Sequence, residues 1–129
     1  AHAGTDVTGF GLAGHTLEMA LGSGVTIVLS LSKLPLFPGV EAFARKPYLT
    51  RASATNASYV APELKKQGAL DPIRLEFFYD AQTSGGMLIS VPAERADAAI
   101  AAARQRGLPA TCVIGEVVER QEKAIVLQS

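Results

Sequence analysis

Two short stretches hold the residue types that could do chemistry. The first, Thr5-Asp6-Val7-Thr8-Gly9-Phe10-Gly11, sets a carboxylate, two hydroxyls and two glycines ahead of an apolar run. Amides exposed at a helix N-terminus, with the positive end of the helix dipole, attract phosphate. A carboxylate beside them would repel phosphate unless a hard cation lay between, which makes Asp6 a candidate magnesium ligand. Thr5, Thr8, Gly9 and Gly11 are then candidate walls of a phosphate cleft. The competing reading is a capping turn, in which Asp6 or Thr8 accepts helix amides and the glycines serve backbone geometry. Spacing alone favours that plainer reading. The second stretch, Asp80-Ala81-Gln82-Thr83-Ser84-Gly85-Gly86, repeats the ingredients at the entrance to a strand. Amides around Gly85 and Gly86 could cradle an anion, with Thr83 and Ser84 as further donors. Its plainer alternative is an Asx turn built on Asp80. Two such stretches in one chain strengthen the polyphosphate-and-metal reading without deciding it.

Other reactive types are sparse. His15 and Glu18 share a helix face, but even with His2 no third ligand has suitable spacing, so His15 is expected to hydrogen-bond the first motif. Cys112 falls among Val113 and Ile114, where a small buried hydrophobe is the usual role. Arg45, Lys46, Arg51, Lys65 and Lys66 are scattered and read as solvated surface; Arg51, in a polar segment, is a minor phosphate candidate.

The elements that must position these residues follow from periodicity and punctuation. Residues 11–21 suit a helix stopped by Gly22 or Gly24. The β-branched residues 25–29 suit a buried strand, and 40–45 a short helix. Residues 47–59, rich in Ser, Thr, Ala and Asn, read as a loop of functional length. Residues 62–67 suit a turn or two of helix, and 73–79 are open between strand and helix. A strand over 87–91 precedes an alanine-rich helix over 93–106, with Glu94 in its first turn and arginines in its last. Residues 111–118 and 124–127 read as strands joined by a charged hairpin, 119–123. The order implies a mixed sheet backed by helices in a single domain, 1–129.

Composition bounds the function. The chain has 129 residues, 48% of them hydrophobic, with 12 acidic and 12 basic side chains. That length allows one sizeable core. The balanced charge gives no field to draw in nucleic acid or an anionic membrane. No apolar stretch approaches the roughly 20 residues that cross a bilayer. One cysteine excludes an internal disulfide, so a reducing, cytoplasmic setting is the default. A motif already under way at Thr5 reads as a start inside a longer protein.

Thr5-Asp6-Val7-Thr8-Gly9-Phe10-Gly11-Leu12, continuing through Gly14-His15 and Leu17-Glu18-Met19, resembles the signature of the selenophosphate synthetases (selenide, water dikinases). So do Asp80-x-Gln82-Thr83-Ser84-Gly85-Gly86-x-Leu88-Ile89 and Val113-Ile114-Gly115-Glu116-Val117, while Leu34-Pro35-Leu36 with Pro38-Gly39 is similar to the intervening segment. Relatives of that superfamily, such as aminoimidazole ribonucleotide synthetase, match less well at Gly9-Phe10-Gly11.

The resemblance implies a three-layer α/β/α domain with a mixed sheet, partly ferredoxin-like. It implies that ATP, selenide and water yield selenophosphate, phosphate and AMP, in a cleft that this C-terminal domain completes against an N-terminal ATP-binding domain. Asp6 would help hold Mg2+ on the ATP phosphates; Thr5, Thr8 and the glycines would shape the wall. The catalytic residues belong to the N-terminal segment, so the chain alone is expected to be inactive and the parent to be a homodimer. Two departures stand out: Ala81 replaces the usual proline, and residues 49–58 lack the paired glycines expected before an asparagine, leaving Asn56 as the nearest match. The alternatives are another enzyme of the superfamily, or a regulatory or interaction domain using the motifs as turns.

Overall fold

In the computed structural model, residues 1–46, 48 and 50–129 are described. Six strands and five α-helices of these residues follow the order β1 (Ala3–Asp6), α1 (Gly11–Ser23), β2 (Val25–Ser30), α2 (Val40–Ala44), α3 (Arg51–Val60), β3 (Leu64–Lys66), α4 (Pro72–Tyr79), β4 (Met87–Ser90), α5 (Ala96–Gln105), β5 (Gly115–Glu119) and β6 (Ile125–Gln128). The strands form a four-stranded sheet, β3-β6-β2-β5, and a separate antiparallel pair, β1-β4. In the larger sheet β2 runs parallel to β6 and antiparallel to β5. The chain is thus of the α+β class with a mixed sheet, as expected.

Helix α1 joins the parts. Its Leu12, Ala13, Thr16, Leu17 and Ala20 are buried, a spacing of three and four that lays one face along the core. It touches both sheets and the helices α3 and α4. Gly24, in the left-handed region at φ 65°, caps it and sends its amide to Ala20 and Leu21, which turns the chain directly into β2. Phe78, Leu29, Leu31, Ile125, Leu127 and Val60 are the largest buried apolar side chains around it. Burying a residue of that size contributes about 1.5–3 kcal/mol each, so this contact between α1, α4 and the sheet is what fixes the motif ends of the chain.

Helix α4 settles the ambiguity of residues 73–79. Asp71 caps it, accepting from the amides of Ile73 at 2.8 Å and Arg74 at 3.4 Å, and Pro72 occupies the first helical position, where its missing N–H costs nothing. Arg74 then ties α4 to the turn after β2, donating to the carbonyls of Leu31, Ser32 and Leu34.

Several expectations need correction. The loop expected over 47–59 is mostly helix α3; Pro47 and Leu49 lie outside the described residues. Arg51 accordingly opens a helix and faces solvent. In place of helix over 62–67 there is one 3-10 turn, Ala61–Glu63, and then strand β3, which adds to the edge of β6. The strand expected from residue 111 begins only at Gly115. The hairpin is absent: β5 and β6 are not neighbours, because β2 lies between them. Cys112 is exposed, not buried, with its thiol 3.5 Å from the Lys33 carbonyl.

Candidate functional site

Strand pairing brings the two glycine motifs together. Thr5 and Asp6 form the end of β1 and pair with Leu88 and Met87. Beyond the strands the contact continues: Val7 donates its amide to Gly86 at 2.9 Å, and Gln82 donates to Thr8 at 3.0 Å. Gly85 passes so close to Val7 that a Cβ there would overlap the Val7 carbonyl oxygen. Gly11 has φ 65°, and a Cβ would lie 2.7 Å from the Asp80 carbonyl and 2.8 Å from that of Tyr79. These two glycines are therefore required by the other motif's backbone.

Asn56 closes the junction. It is 3% exposed on α3, and its Nδ2 donates to the Gly9 carbonyl at 3.1 Å and to the Tyr79 carbonyl at 2.9 Å. Tyr79 ends α4, where the last carbonyls have no intrahelical partner. One side chain thus satisfies a helix C-terminus and the first motif together. The Asp80 side chain points away from its own loop, accepting the Thr50 hydroxyl at 3.1 Å.

The motif's polar groups divide between two faces. Along β1, burial alternates, with Ala3 and Thr5 half-buried and Gly4 and Asp6 exposed. Gly4 and Asp6 share the open face with their partners Ile89 and Met87, which are 52% and 68% exposed. Asp6 forms no ion pair or side-chain hydrogen bond among the described residues. Thr5 and Thr8 turn the other way. His15 Nε2 lies 2.9 Å from the Thr8 hydroxyl and Nδ1 lies 3.5 Å from that of Thr5. The expected role of His15 as a bond to the motif is what the geometry contains. The capping alternative is not: α1 begins after Phe10 with no side-chain cap, and neither the Asp6 nor the Thr8 side chain accepts its amides.

Thr83, Ser84, Gly85 and Gly86 are exposed beside this junction. Neither Gly85 nor Gly86 has positive φ, so the left-handed turn that folds successive amides into an anion cradle is missing. Gly9 and Gly86 are exposed, and nothing lies within 4 Å of where a Cβ would stand on either. A flanking surface carried no advance signal. Phe10, 60% exposed, packs 6.1 Å from both His15 and Tyr59. Tyr59 donates to Glu18, and that bond, with slight burial and the carboxylate's charge, raises the phenol above its ordinary value.

Asp6 suits a hard cation as an exposed carboxylate without a competing cation. It would supply one ligand only: no group of three or more His, Cys, Asp or Glu among the described residues could hold a metal. A magnesium ion here would take its other oxygens from phosphate, water or another part of the protein. No helix of the described residues is long and apolar enough to cross a membrane.

Comparison with known proteins finds relatives over nearly the whole chain. Relatives named "Selenide, water dikinase" include one from Bdellovibrio bacteriovorus, 40% identical over 127 residues, covering 98% of this chain and 36% of that protein. One from Burkholderia ambifaria is 41% identical over 118 residues, covering 92% of this chain and 33% of that protein. Another, from Nitratidesulfovibrio vulgaris, is 42% identical over 117 residues, covering 91% and 33%. The chain therefore spans about a third of the length of these relatives. Residues 1–128 match the family described as AIR synthase related protein, C-terminal domain. With both motifs interlocked and that match running over nearly every residue, the chain belongs to the C-terminal domain family of the AIR synthase related proteins.

Proposed function

We propose that this chain is the C-terminal domain of a selenide, water dikinase, and that it forms one wall of a cleft binding ATP and Mg2+. The observation that carries the reading is Asp6, held on the open face of β1-β4 at the point where the two motifs interlock. The relatives' names and the family description support the same assignment.

Within that reading each residue has a task. Asp6 supplies a carboxylate oxygen to Mg2+. The metal, once bound, neutralises phosphate charge as phosphoryl groups transfer. Thr5 and Thr8 hold the motif against α1 through His15. Gly9 and Gly86 leave side-chain space empty, so phosphate can come close to backbone amides. The α1 N-terminus beside Gly9 has no side-chain cap and adds the favourable end of its dipole. Thr83, Ser84 and the amide of Gly85 offer donors across the junction. Asp80 and Asn56 act at one remove, by fixing the end of α4 and the Gly9 turn. An N-terminal ATP-binding domain of the same protein, supplying the catalytic residues, would cover Met87 and Ile89. The whole protein would convert ATP, selenide and water to selenophosphate, phosphate and AMP in the cytoplasm, as a homodimer.

The test is selenide-dependent AMP release by the full-length protein, wild type against Asp6→Asn, over a magnesium titration. The variant is expected to lose activity, with excess magnesium restoring it only in part. Equal activity at every magnesium concentration would remove Asp6 from the metal shell. AMP release that depends on a phosphate acceptor other than selenide would assign the domain to another enzyme of the family.

A further inference from the structure

We propose that His15 is a positioning residue for Asp6, acting through Thr5 and Thr8 as the neutral imidazole protonated on Nδ1. The inference rests on the reading of Asp6 as a metal ligand, and adds the residue that aims it.

Proton counting assigns the direction of each bond. Thr5 has one hydroxyl hydrogen, and it goes to the Asp6 carbonyl oxygen at 3.0 Å. Toward His15, 3.5 Å away, Thr5 is left as an acceptor, so Nδ1 carries the hydrogen. With its one N–H on Nδ1, the ring of the proposal accepts at Nε2, and the Thr8 hydroxyl 2.9 Å away donates to it. The chain therefore runs from Thr8 to His15 to Thr5 to the backbone of Asp6. Both ends are anchored: the Thr8 carbonyl accepts the amides of Gly11 and Gln82 at 3.0 Å each, and Thr5 is paired with Leu88 in the strand. Only Asp6 and Val7 lie between the clamped threonines. Val7 is buried, so the span has little freedom and the Asp6 carboxylate stays on the open face. The imidazole is itself held from the side by the Phe10 ring, edge-on at 74°. Partners bonded directly to a metal's ligand typically change metal affinity about 10–100-fold when removed, and His15, acting through Thr5 and the Asp6 backbone, belongs at the low end of that range.

The experiment uses the full-length protein with ATP and Mn2+ as the spectroscopic probe of the metal site. His15→Phe keeps a ring beside Phe10 and removes both nitrogens; it is expected to weaken Mn2+ binding about 10-fold. His15→Gln can place an acceptor near Thr8 and should recover most of that loss. Thr8→Val should match His15→Phe, and the double variant should be no weaker than either alone, because both cut one chain. Ring nitrogen shifts of labelled His15 should show a protonated Nδ1 and a bare Nε2. A proton on Nε2, or unchanged Mn2+ affinity in a folded His15→Phe protein, overturns the proposal; if that variant does not fold, Thr8→Val decides by the same criterion. Asp6→Asn separates the two levels. If it abolishes Mn2+ binding while His15→Phe does not, only the positioning role fails; if Asp6→Asn binds Mn2+ normally, the metal reading fails and the positioning role with it.

Discussion

Replacing Asn56 by alanine should destabilise the domain well beyond an ordinary helix-surface change. The side chain is 3% exposed and donates two hydrogen bonds, to Gly9 at 3.1 Å and Tyr79 at 2.9 Å. A hydrogen bond contributes about 1 kcal/mol net, and a buried carbonyl that loses its donor costs about 1–3 kcal/mol. The α3 helix gains slightly from alanine, by a few tenths of a kcal/mol, which does not offset that. The balance is a loss of about 2–4 kcal/mol. At this chain length each kcal/mol lowers Tm by roughly 4 °C, so the midpoint should fall by about 8–16 °C. Asn56→Asp should be worse still, since it can set a carboxylate oxygen against two carbonyl oxygens. Ser58→Ala, on the same helix but exposed and bonded only to Ala54, is the control and should stay within about 0.5 kcal/mol. Urea unfolding with a common m-value measures all three. An Asn56→Ala loss no larger than the Ser58→Ala loss would refute the view that this amide joins the motifs.

The adjacent glycines of the second motif should behave differently. Gly85→Ala forces a Cβ onto the Val7 carbonyl oxygen and should cost about 2 kcal/mol or more, whereas Gly86→Ala meets nothing within 4 Å and should cost under about 1 kcal/mol in the same urea assay. Glu63 predicts an acid limb. Its carboxylate accepts the Ala124 amide at 3.0 Å and the Arg120 guanidinium at 2.7 Å, and these, the backbone bond first, hold it below its ordinary value of 4.5. A carboxyl depressed in the folded state contributes its full stability above the unfolded value and loses it as pH falls through the folded one. Wild type should therefore lose more stability than Glu63→Gln on acidification below about 4.5. Equal slopes for the two in urea midpoints against pH would remove Glu63 as the cause.

How much of this was legible depended on whether the signal was local. Helix α1 was, because its apolar face and Gly24 lie in one contiguous stretch. Helix α3 was not: its buried positions, Ser53, Asn56 and Val60, are spaced helically, but two of the three are polar, so hydrophobic periodicity has almost nothing to detect. The sheet order is hidden for a related reason. A short charged connection between two strand-like runs suggests a hairpin, and only the burial of β2 on both faces marks it as the strand that separates them. Cys112 sits among β-branched residues that suggest a strand, yet β5 begins three residues later.

The motifs show where sequence and function part. Gly11 is demanded by the carbonyls of Tyr79 and Asp80, and Gly85 by that of Val7. Each motif's glycine thus answers to the backbone at the other motif, and their joint presence in the sequence reports a contact between distant segments, whatever binds there. Thr5 and Thr8 are likewise spent on His15. What folding leaves unexplained is smaller: the exposed carboxylate of Asp6, and the open space at Gly9 and Gly86. An ionised side chain with no partner contributes little to stability, and a glycine at an uncrowded position with ordinary φ costs conformational entropy. Those residues, and not the motifs as wholes, carry the argument for a ligand.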